Sequence, residues 1–224
     1  MAELFPVIHY FDSETTLANA SIALQAGCKG VVLINMRCIH EELDNGFKEI
    51  KRHFPELLVF INRLGCHDPT QLVSDMEMGL NGTWVDNPGV SSAGITPYAE
   101  ELTVSLRNIW QKNPDYLFFG SVAFKTQEDE PEPARAAKLA KELGWIVTTS
   151  GVGTGIAPDL EKVILMKQAI GSHPLAIASG ITPDNVDPFL PSVDYYLVAT
   201  GISEDFYHFS AHKTTALAQK IMFR

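Results

Sequence analysis

Two short stretches near the end of the chain read IASGITPDN at residues 177–185 and LVATGIS at residues 197–203. In each, a short apolar run typical of a buried strand leads into a turn that contains glycine. In the first stretch, Thr182 and Pro183 are the N-cap and first residue types of a helix. A strand, a glycine turn and a helix start present backbone N–H groups to an anion. Two such turns in succession are typical of the phosphate site of a (β/α)₈ barrel.

The same alternation of apolar strands and amphipathic helices extends through the rest of the chain. Strands are predicted at 7–11, 31–34, 57–61, 83–85, 116–119, 145–148, 175–178 and 196–199. Helices are predicted at 13–26, 41–53, from Asp68, from Thr96, and at 133–143, 158–170, 183–190 and 211–222. Eight strand–helix units close a barrel, whereas a doubly wound sheet has about five or six strands. We therefore predict an α/β fold in which residues 1–224 form a single (β/α)₈ TIM-barrel domain; an open α/β sheet is the alternative.

The composition narrows the class of protein. The chain is 46% hydrophobic and 20% charged, with a net charge of -10 that argues against non-specific nucleic-acid binding. No apolar stretch reaches the roughly 18 to 20 residues of a membrane span, and the first residues lack the features of a signal peptide. Cys28, Cys38 and Cys66 are odd in number and form no CxxC pair, which favours a reduced, cytoplasmic protein. A homo-oligomer is compatible with the sequence.

Polar residues follow the predicted strands, at the end of a barrel where active sites lie. They are Asp12, Asn35, Arg37, Asn62, Asp86, Asn87, Ser121, Lys125, Ser150, Thr154, Ser179 and Thr200. The alternative is that strand ends are polar in any protein, because the chain leaves the core there. The glycine-rich loop at residues 87–95 is a candidate cover for such a site.

Lys125 and Asp86 are the candidate catalytic residues. Lys125 follows an apolar segment, and burial there would lower its pKa and suit it to Schiff-base formation, general-base catalysis or anion binding. The alternative interpretation is that Lys125 is a solvated loop lysine beside the acidic residues 128–130. Asp86 is the best-placed carboxylate for acid–base chemistry. The alternative interpretation is that Asp86 only caps a helix or lies in a loop.

A third glycine turn, TSGVGTG at residues 149–155, follows the sixth predicted strand. Glycines and hydroxyls together are typical of an anion-binding nest, although they also form ordinary loops. With the two later turns, this segment predicts one phosphate site formed by Ser150, Gly151, Gly153, Thr154, Gly155, Ser179, Gly180, Thr200 and Gly201.

A metal or nucleotide cofactor has little support in the sequence. Cys66, His67 and Asp68 cluster three ligand types, but Asp68 is better explained as a helix cap, and His9 as a packed core histidine. No HExxH spacing occurs, and no GxGxxG follows a strand. We expect no metal and no cofactor.

Residues 115–205 resemble the BtpA-like family of (β/α)₈ proteins, named for a photosystem I biogenesis factor. Phe124-Lys125 is similar to its Val-Lys-His element, and residues 150–155 and 179–186 are similar to its Ser/Thr-Gly-x-x-Thr-Gly and Gly-Ser-Gly-Val-Thr-x-Glu-Asn turns. Thr126 stands at the histidine position, and Gly120 where an acidic residue is common. The same turns resemble the phosphate sites of phosphoribosylanthranilate isomerase and the tryptophan synthase α chain.

These resemblances imply a ligand class and leave the reaction open. The expected ligand is a small phosphorylated, phosphoribosyl-type metabolite, on whose organic part Lys125 and Asp86 would act. Isomerase, lyase and glycosidic-bond chemistry are all compatible with that pair. The alternative is a non-catalytic BtpA-like barrel that serves as a metabolite sensor or assembly factor.

Overall fold

The computed structural model describes residues 2–36, 39–66 and 68–222 and contains a closed barrel of eight parallel strands. The strands are β1 (Glu3–His9), β2 (Gly30–Ile34), β3 (Leu58–Asn62), β4 (Gly82–Val85), β5 (Leu117–Ser121), β6 (Ile146–Ser150), β7 (Leu175–Ala178) and β8 (Tyr195–Val198). Each strand pairs with its neighbours in chain order, and β8 closes the barrel on β1. The predicted TIM-barrel fold is confirmed, and the turns after β7 and β8 are neighbours at one end.

Helices surround the barrel after most of its strands. They are α1 (Ser13–Gln25), α2 (His40–His53), α3 (Gln71–Met78), α4 (Pro97–Lys112), α5 (Pro133–Glu142), α6 (Leu160–Ile170) and α7 (Ala211–Met222). The predicted start of α4 is confirmed, because the Thr96 hydroxyl accepts a hydrogen bond from the Ala99 N–H at 3.3 Å. Within the described ranges, no helix is both long and apolar enough to cross a bilayer.

The helix predicted at 183–190 is wrong. The chain forms only a 3₁₀ turn there, at Asp187–Phe189. The Asn185 side chain accepts a hydrogen bond from the Thr182 N–H at 2.8 Å and donates one to the Gly180 carbonyl at 2.8 Å, while the Thr182 hydroxyl accepts from the Asp184 N–H at 3.2 Å. Such side-chain bonds compete with the helical ones, so this segment remains a braced loop. The turn after β7 therefore presents no α-helix dipole to an anion.

Two other segments differ from the prediction. The helix expected to open at Asp68 begins at Gln71 with Thr70 as N-cap, because the Asp68 carboxylate instead accepts the Thr70 N–H at 2.9 Å. The loop at residues 87–95 contains a small antiparallel hairpin of Val90–Ser91 with Gly94–Ile95.

The interior of the barrel holds a core of its own, separate from the one between barrel and helices. Its centre is a cluster of rings, in which Phe5 and Phe60 have centroids 4.6 Å apart and Phe60 and Phe119 have centroids 5.7 Å apart. Above these rings, towards the carboxyl ends of the strands, the interior opens into a cavity. The packed rings form a rigid base beneath that cavity.

Candidate active site

A cavity of about 250 Å³ lies at the carboxyl ends of the barrel strands. Every strand, or the loop that follows it, contributes to the wall. Of the residues predicted from sequence, the cavity brings together Asp86, Lys125, Thr154, Gly155, Ser179 and Thr200. This is the end of the barrel at which enzymes of this fold carry their active sites.

Lys125 is half-buried at the cavity wall. Its backbone N–H donates to the Ser150 hydroxyl at 3.0 Å, which fixes the start of the loop after β5. Its ammonium donates to the Ser179 hydroxyl at 2.9 Å and to the Thr154 hydroxyl at 3.3 Å. Burial lowers the pKa of Lys125 from its ordinary value, and the nearby Asp86 opposes that shift. The geometry therefore differs from that of a solvated loop lysine.

Ser179 adopts an unusual backbone conformation for a residue with a side chain. Its φ is +74°, in the region that favours glycine. The following Gly180 also has a positive φ, and Asn185 braces the turn through the Gly180 carbonyl. Non-glycine residues held in this region cluster at functional sites, where the surrounding structure compensates the strain. Here the strain aims the Ser179 hydroxyl at the Lys125 ammonium.

Asp86 lies just beyond the end of β4 and lines the cavity. The Asn62 side chain donates to its carboxylate at 2.8 Å. Burial raises the pKa of Asp86, and the Asn62 hydrogen bond and the positive charge of Lys125 oppose this rise. A carboxyl group with a raised pKa is suited to donating a proton to a bound ligand.

His9 also lines the cavity, although its sequence context indicated a packed core residue. Its Nδ1 donates to the Phe206 carbonyl at 2.8 Å, which leaves Nε2 to carry the lone pair of the neutral ring. Burial lowers the pKa of His9, and the Lys125 charge lowers it further against the opposing effect of that carbonyl. The strand prediction hid this residue, because β1 ends at His9 and not at Phe11.

Phe206 is a second lining residue that the sequence reasoning missed. It belongs to the loop between β8 and α7, where its ring lies 4.3 Å from the His9 ring. Asn19 of α1 anchors this loop by donating to the Tyr207 carbonyl at 2.7 Å and accepting from the Phe209 N–H at 2.9 Å. The Asp205 carboxylate accepts two backbone N–H groups within the loop. The sequence offered one signal for this loop: Asp205 lies in a polar turn, directly before the aromatic residues Phe206 and Tyr207.

Several predicted phosphate-site residues pack against backbone outside the cavity wall. A Cβ on Gly151 would lie 2.1 Å from the Ile156 carbonyl oxygen, and one on Gly180 would lie 2.0 Å from the Ala157 nitrogen. One on Gly201 would lie 1.7 Å from a neighbouring carbonyl oxygen. These glycines allow the loops after β6, β7 and β8 to pack backbone on backbone, and so they position the hydroxyls that do line the cavity.

Other predicted residues have identifiable partners elsewhere. Ser150 is buried, and its hydroxyl donates to the Gly151 carbonyl at 2.9 Å. A Cβ on Gly153 would lie 3.4 Å from the Ile156 side chain. Asp12 caps α1 by accepting from the Thr15 N–H at 2.7 Å.

The remaining mouth residues divide between the cavity and its surroundings. Asn35 accepts from the Leu64 N–H at 2.7 Å and so braces the loop after β3. Asn87 lines a separate groove beside the hairpin at 90–95, so the candidate cover lies outside the cavity wall. Ser121 accepts the Trp84 indole N–H at 3.0 Å. Arg37, Cys38 and His67 lie outside the described residues, and among those described no three His, Cys, Asp or Glu side chains group to hold a metal ion.

Comparison with known proteins shows the fold and no family. No protein-family model matches the chain, and no curated protein matches its sequence. Solved structures do match over nearly the whole chain. Phosphoribosyl anthranilate isomerase from Thermus thermophilus is 18% identical, covers 97% of each chain and gives a TM-score of 0.66. 3-Hexulose-6-phosphate synthase is 14% identical over 98% of this chain and 99% of that one, with a TM-score of 0.71.

A third match is the (S)-3-O-geranylgeranylglyceryl phosphate synthase of Thermoplasma acidophilum, solved with its substrate sn-glycerol-1-phosphate. It is 14% identical over all of this chain and 94% of that one, with a TM-score of 0.70. Identities this low establish a shared barrel and leave function to be argued from the site. All three proteins are TIM-barrel enzymes whose names contain a phosphorylated compound.

Proposed function

We propose that this chain is an enzyme acting on a small phosphorylated metabolite in the cavity at the carboxyl ends of its strands. The observation that carries the proposal is the convergence of Lys125 and Asp86 in one cavity, each with a pKa shifted by burial. A protein that only binds a ligand does not need both an amine and an acid at one site. Perturbed groups of opposite type in a cleft are typical of catalytic sites.

The phosphate would lie against Lys125, with the hydroxyls of Ser179, Thr154 and Thr200 around it. Lysine binds phosphate as a point charge, and hydroxyl groups add neutral donors without further charge. The Lys125 ammonium already contacts two of these hydroxyls. A bound dianion would favour the charged amine and so raise the pKa of Lys125.

The organic part of the ligand would face Asp86, whose raised pKa favours the protonated acid. Proton donation from Asp86 is compatible with isomerase, lyase or glycosidic-bond chemistry. The alternative role of Lys125, with the phosphate held by the hydroxyls away from it, is that of a neutral amine that forms a Schiff base or accepts a proton. Similarity of the three turns to known phosphate sites supports the ligand class. The cysteine content supports a reducing, cytoplasmic setting.

The second candidate is a non-catalytic BtpA-like barrel that senses a metabolite or assists assembly. Thr126 lines the cavity at the position where that family carries a histidine. It is a departure from the family's pattern, and it favours a non-catalytic role only in that threonine cannot transfer a proton there as histidine can. The Asp86→Asn variant separates the two functions. It leaves phosphate binding intact in both cases, but it abolishes turnover only if the chain is an enzyme.

Thermal unfolding in phosphate and in chloride at matched ionic strength tests the ligand class. A ligand that binds only the folded state stabilises it, by about 2.7 kcal/mol at 100 times its Kd. We expect phosphate to raise the Tm of the wild type and to raise that of Ser179→Ala by less. Ser172→Ala, at an exposed serine before β7, is the matched control and should behave as the wild type. Equal Tm values for the wild type in both buffers would contradict the proposal.

A further inference from the structure

The candidate cavity has two chemically different halves. The loops after β5, β6, β7 and β8 supply the ammonium of Lys125 and the hydroxyls described above. The half formed by β1 to β4 and the loops that follow them is lined mainly by apolar side chains. These are Val7, Ile34, Met36, Leu64 and Trp84. The polar half accounts for a phosphate and Asp86 for proton donation, which leaves the five apolar side chains without an assigned role.

Trp84 is the aromatic member of this apolar set and is 5% exposed. Its only polar atom, the indole N–H, already donates to the Ser121 hydroxyl inside the barrel at 3.0 Å. Its ring packs edge-on against Phe124, with centroids 5.9 Å apart. The part of Trp84 that lines the cavity therefore has no donor to offer a ligand. Aromatic surface of this kind contributes to binding by packing and by excluding water.

Two polar side chains border the apolar half, His9 and Asp86, and each already makes one hydrogen bond. Nδ1 of His9 is bonded to the Phe206 carbonyl, and the Asp86 carboxylate accepts from Asn62. His9 Nε2 and the second Asp86 oxygen remain for a ligand on this side, while the five apolar side chains offer it no partner. A bare sugar phosphate, the simplest phosphoribosyl-type ligand, has more hydroxyls than these two atoms can bind and would place the others against Trp84, Leu64 and their neighbours. Hydroxyls buried without partners weaken binding, whereas an apolar group in the same place gains from leaving water.

The size of the cavity fits a compact ring attached to a phosphate. An apolar cavity of about 150 Å³ holds benzene, and this one has about 250 Å³ in all. The apolar lining also continues outward, since the Phe206 ring packs on His9 and is 44% exposed at the mouth.

We propose that the ligand of this cavity is a phosphate ester whose body is aromatic or aliphatic, packed against Trp84, Leu64 and Met36. This inference rests on the proposed function for the phosphate itself. It specifies the chemistry of the rest of the ligand, which Lys125 and the hydroxyls do not determine. The discriminating feature is the difference in affinity between an apolar and a hydroxylated ester carrying the same charged group.

Isothermal titration calorimetry of the purified protein with inorganic phosphate, phenyl phosphate and ribose 5-phosphate tests this. We expect phenyl phosphate to bind at least about tenfold more tightly than ribose 5-phosphate, a factor equal to about 1.4 kcal/mol. Its binding should also show a more negative heat-capacity change, the marker of apolar burial. Leu64→Asn, at a half-buried loop residue, should reduce the affinity for phenyl phosphate and leave that for inorganic phosphate unchanged.

Two outcomes would overturn the inference and leave the proposed function standing. One is binding of ribose 5-phosphate as tight as that of phenyl phosphate. The other is tight binding of phenyl phosphate that Leu64→Asn does not weaken, because the ring would then lie elsewhere. If none of the three compounds binds the wild type, the proposed function itself fails, and the inference fails with it.

Discussion

Replacing Lys125 by Met tests the anion-binding half of the site. Met keeps most of the length and apolar body of the side chain and removes the charge. In the folded protein the ammonium contacts Ser179 at 2.9 Å and Thr154 at 3.3 Å, so a phosphate among these hydroxyls would receive a charge-assisted hydrogen bond from Lys125. Such a bond contributes about 1.5–3 kcal/mol. We expect phosphate to bind about 10- to 150-fold more weakly, because about 1.4 kcal/mol is a factor of ten.

The stability of Lys125→Met should remain close to that of the wild type. Burial disfavours the charged amine, and removing it leaves the two hydroxyls accessible from the cavity. Calorimetric titration with inorganic phosphate measures the affinity, and Lys125→Arg should retain part of it. Lys167→Met is the matched control, since Lys167 pairs with Asp194 at 2.8 Å just before β8, at the opposite end of the barrel. An unchanged Kd for Lys125→Met would show that the Lys125 ammonium does not bind the phosphate.

Three further predictions concern stability. Gly180→Ala should lower the free energy of unfolding by urea by about 3 kcal/mol, because Gly180 has a φ of +67° and an added Cβ would overlap backbone atoms. Gly65→Ala, with a φ of +80° but open space around the added Cβ, should lower it by about 1 kcal/mol. Similar losses at both positions would argue against the packing explanation. Asp75→Ala should cost about 1.5–3 kcal/mol, since the buried Arg63, 3% exposed, loses the carboxylate 2.7 Å away and keeps that of the more exposed Asp44. A loss near zero in the same assay would show that the Arg63–Asp75 pair is not needed. Burial lowers the pKa of His9 below its ordinary 6.5, so as the pH falls the unfolded chain binds this proton before the folded protein does. The free energy of unfolding should therefore fall as the pH drops below about 6.5, and it should fall less in His9→Gln. Urea unfolding at about pH 8 and about pH 5 measures the difference, and an equal fall in both proteins would contradict the prediction.

The architecture was predictable because its signals are local and repeat along the chain. Apolar runs and helix caps such as Thr96-Pro97 recur with the period of a strand–helix unit, so errors at single boundaries do not change the number of units. The absent helix at 183–190 is such an error. Its cap signal was present, and the Asn185 side chain overrode it with bonds to the backbone of the same turn.

The candidate site was predictable only in part, because strand ends indicate where a residue lies and not where its side chain points. Lys125, Asp86 and Ser179 were identified from their place after a strand, and they line the cavity. Ser150 comes from the same kind of position, but its hydroxyl holds a loop instead.

His9 and Phe206 were missed for a different reason. They meet across 197 positions of sequence, through a ring nitrogen and a carbonyl 2.8 Å apart. Nothing in a single sequence reports such a contact. The apolar half of the cavity was missed as well, since its side chains belong to the same apolar strand pattern as the barrel core beneath them.

A crystal structure of the protein with saturating inorganic phosphate tests most directly whether the cavity binds a phosphorylated ligand through Lys125 and Ser179. We expect density for one phosphate with an oxygen within hydrogen-bond distance of both Lys125 Nζ and Ser179 Oγ. Phosphate bound only elsewhere on the molecule, or a cavity that holds water alone at that concentration, would contradict this expectation.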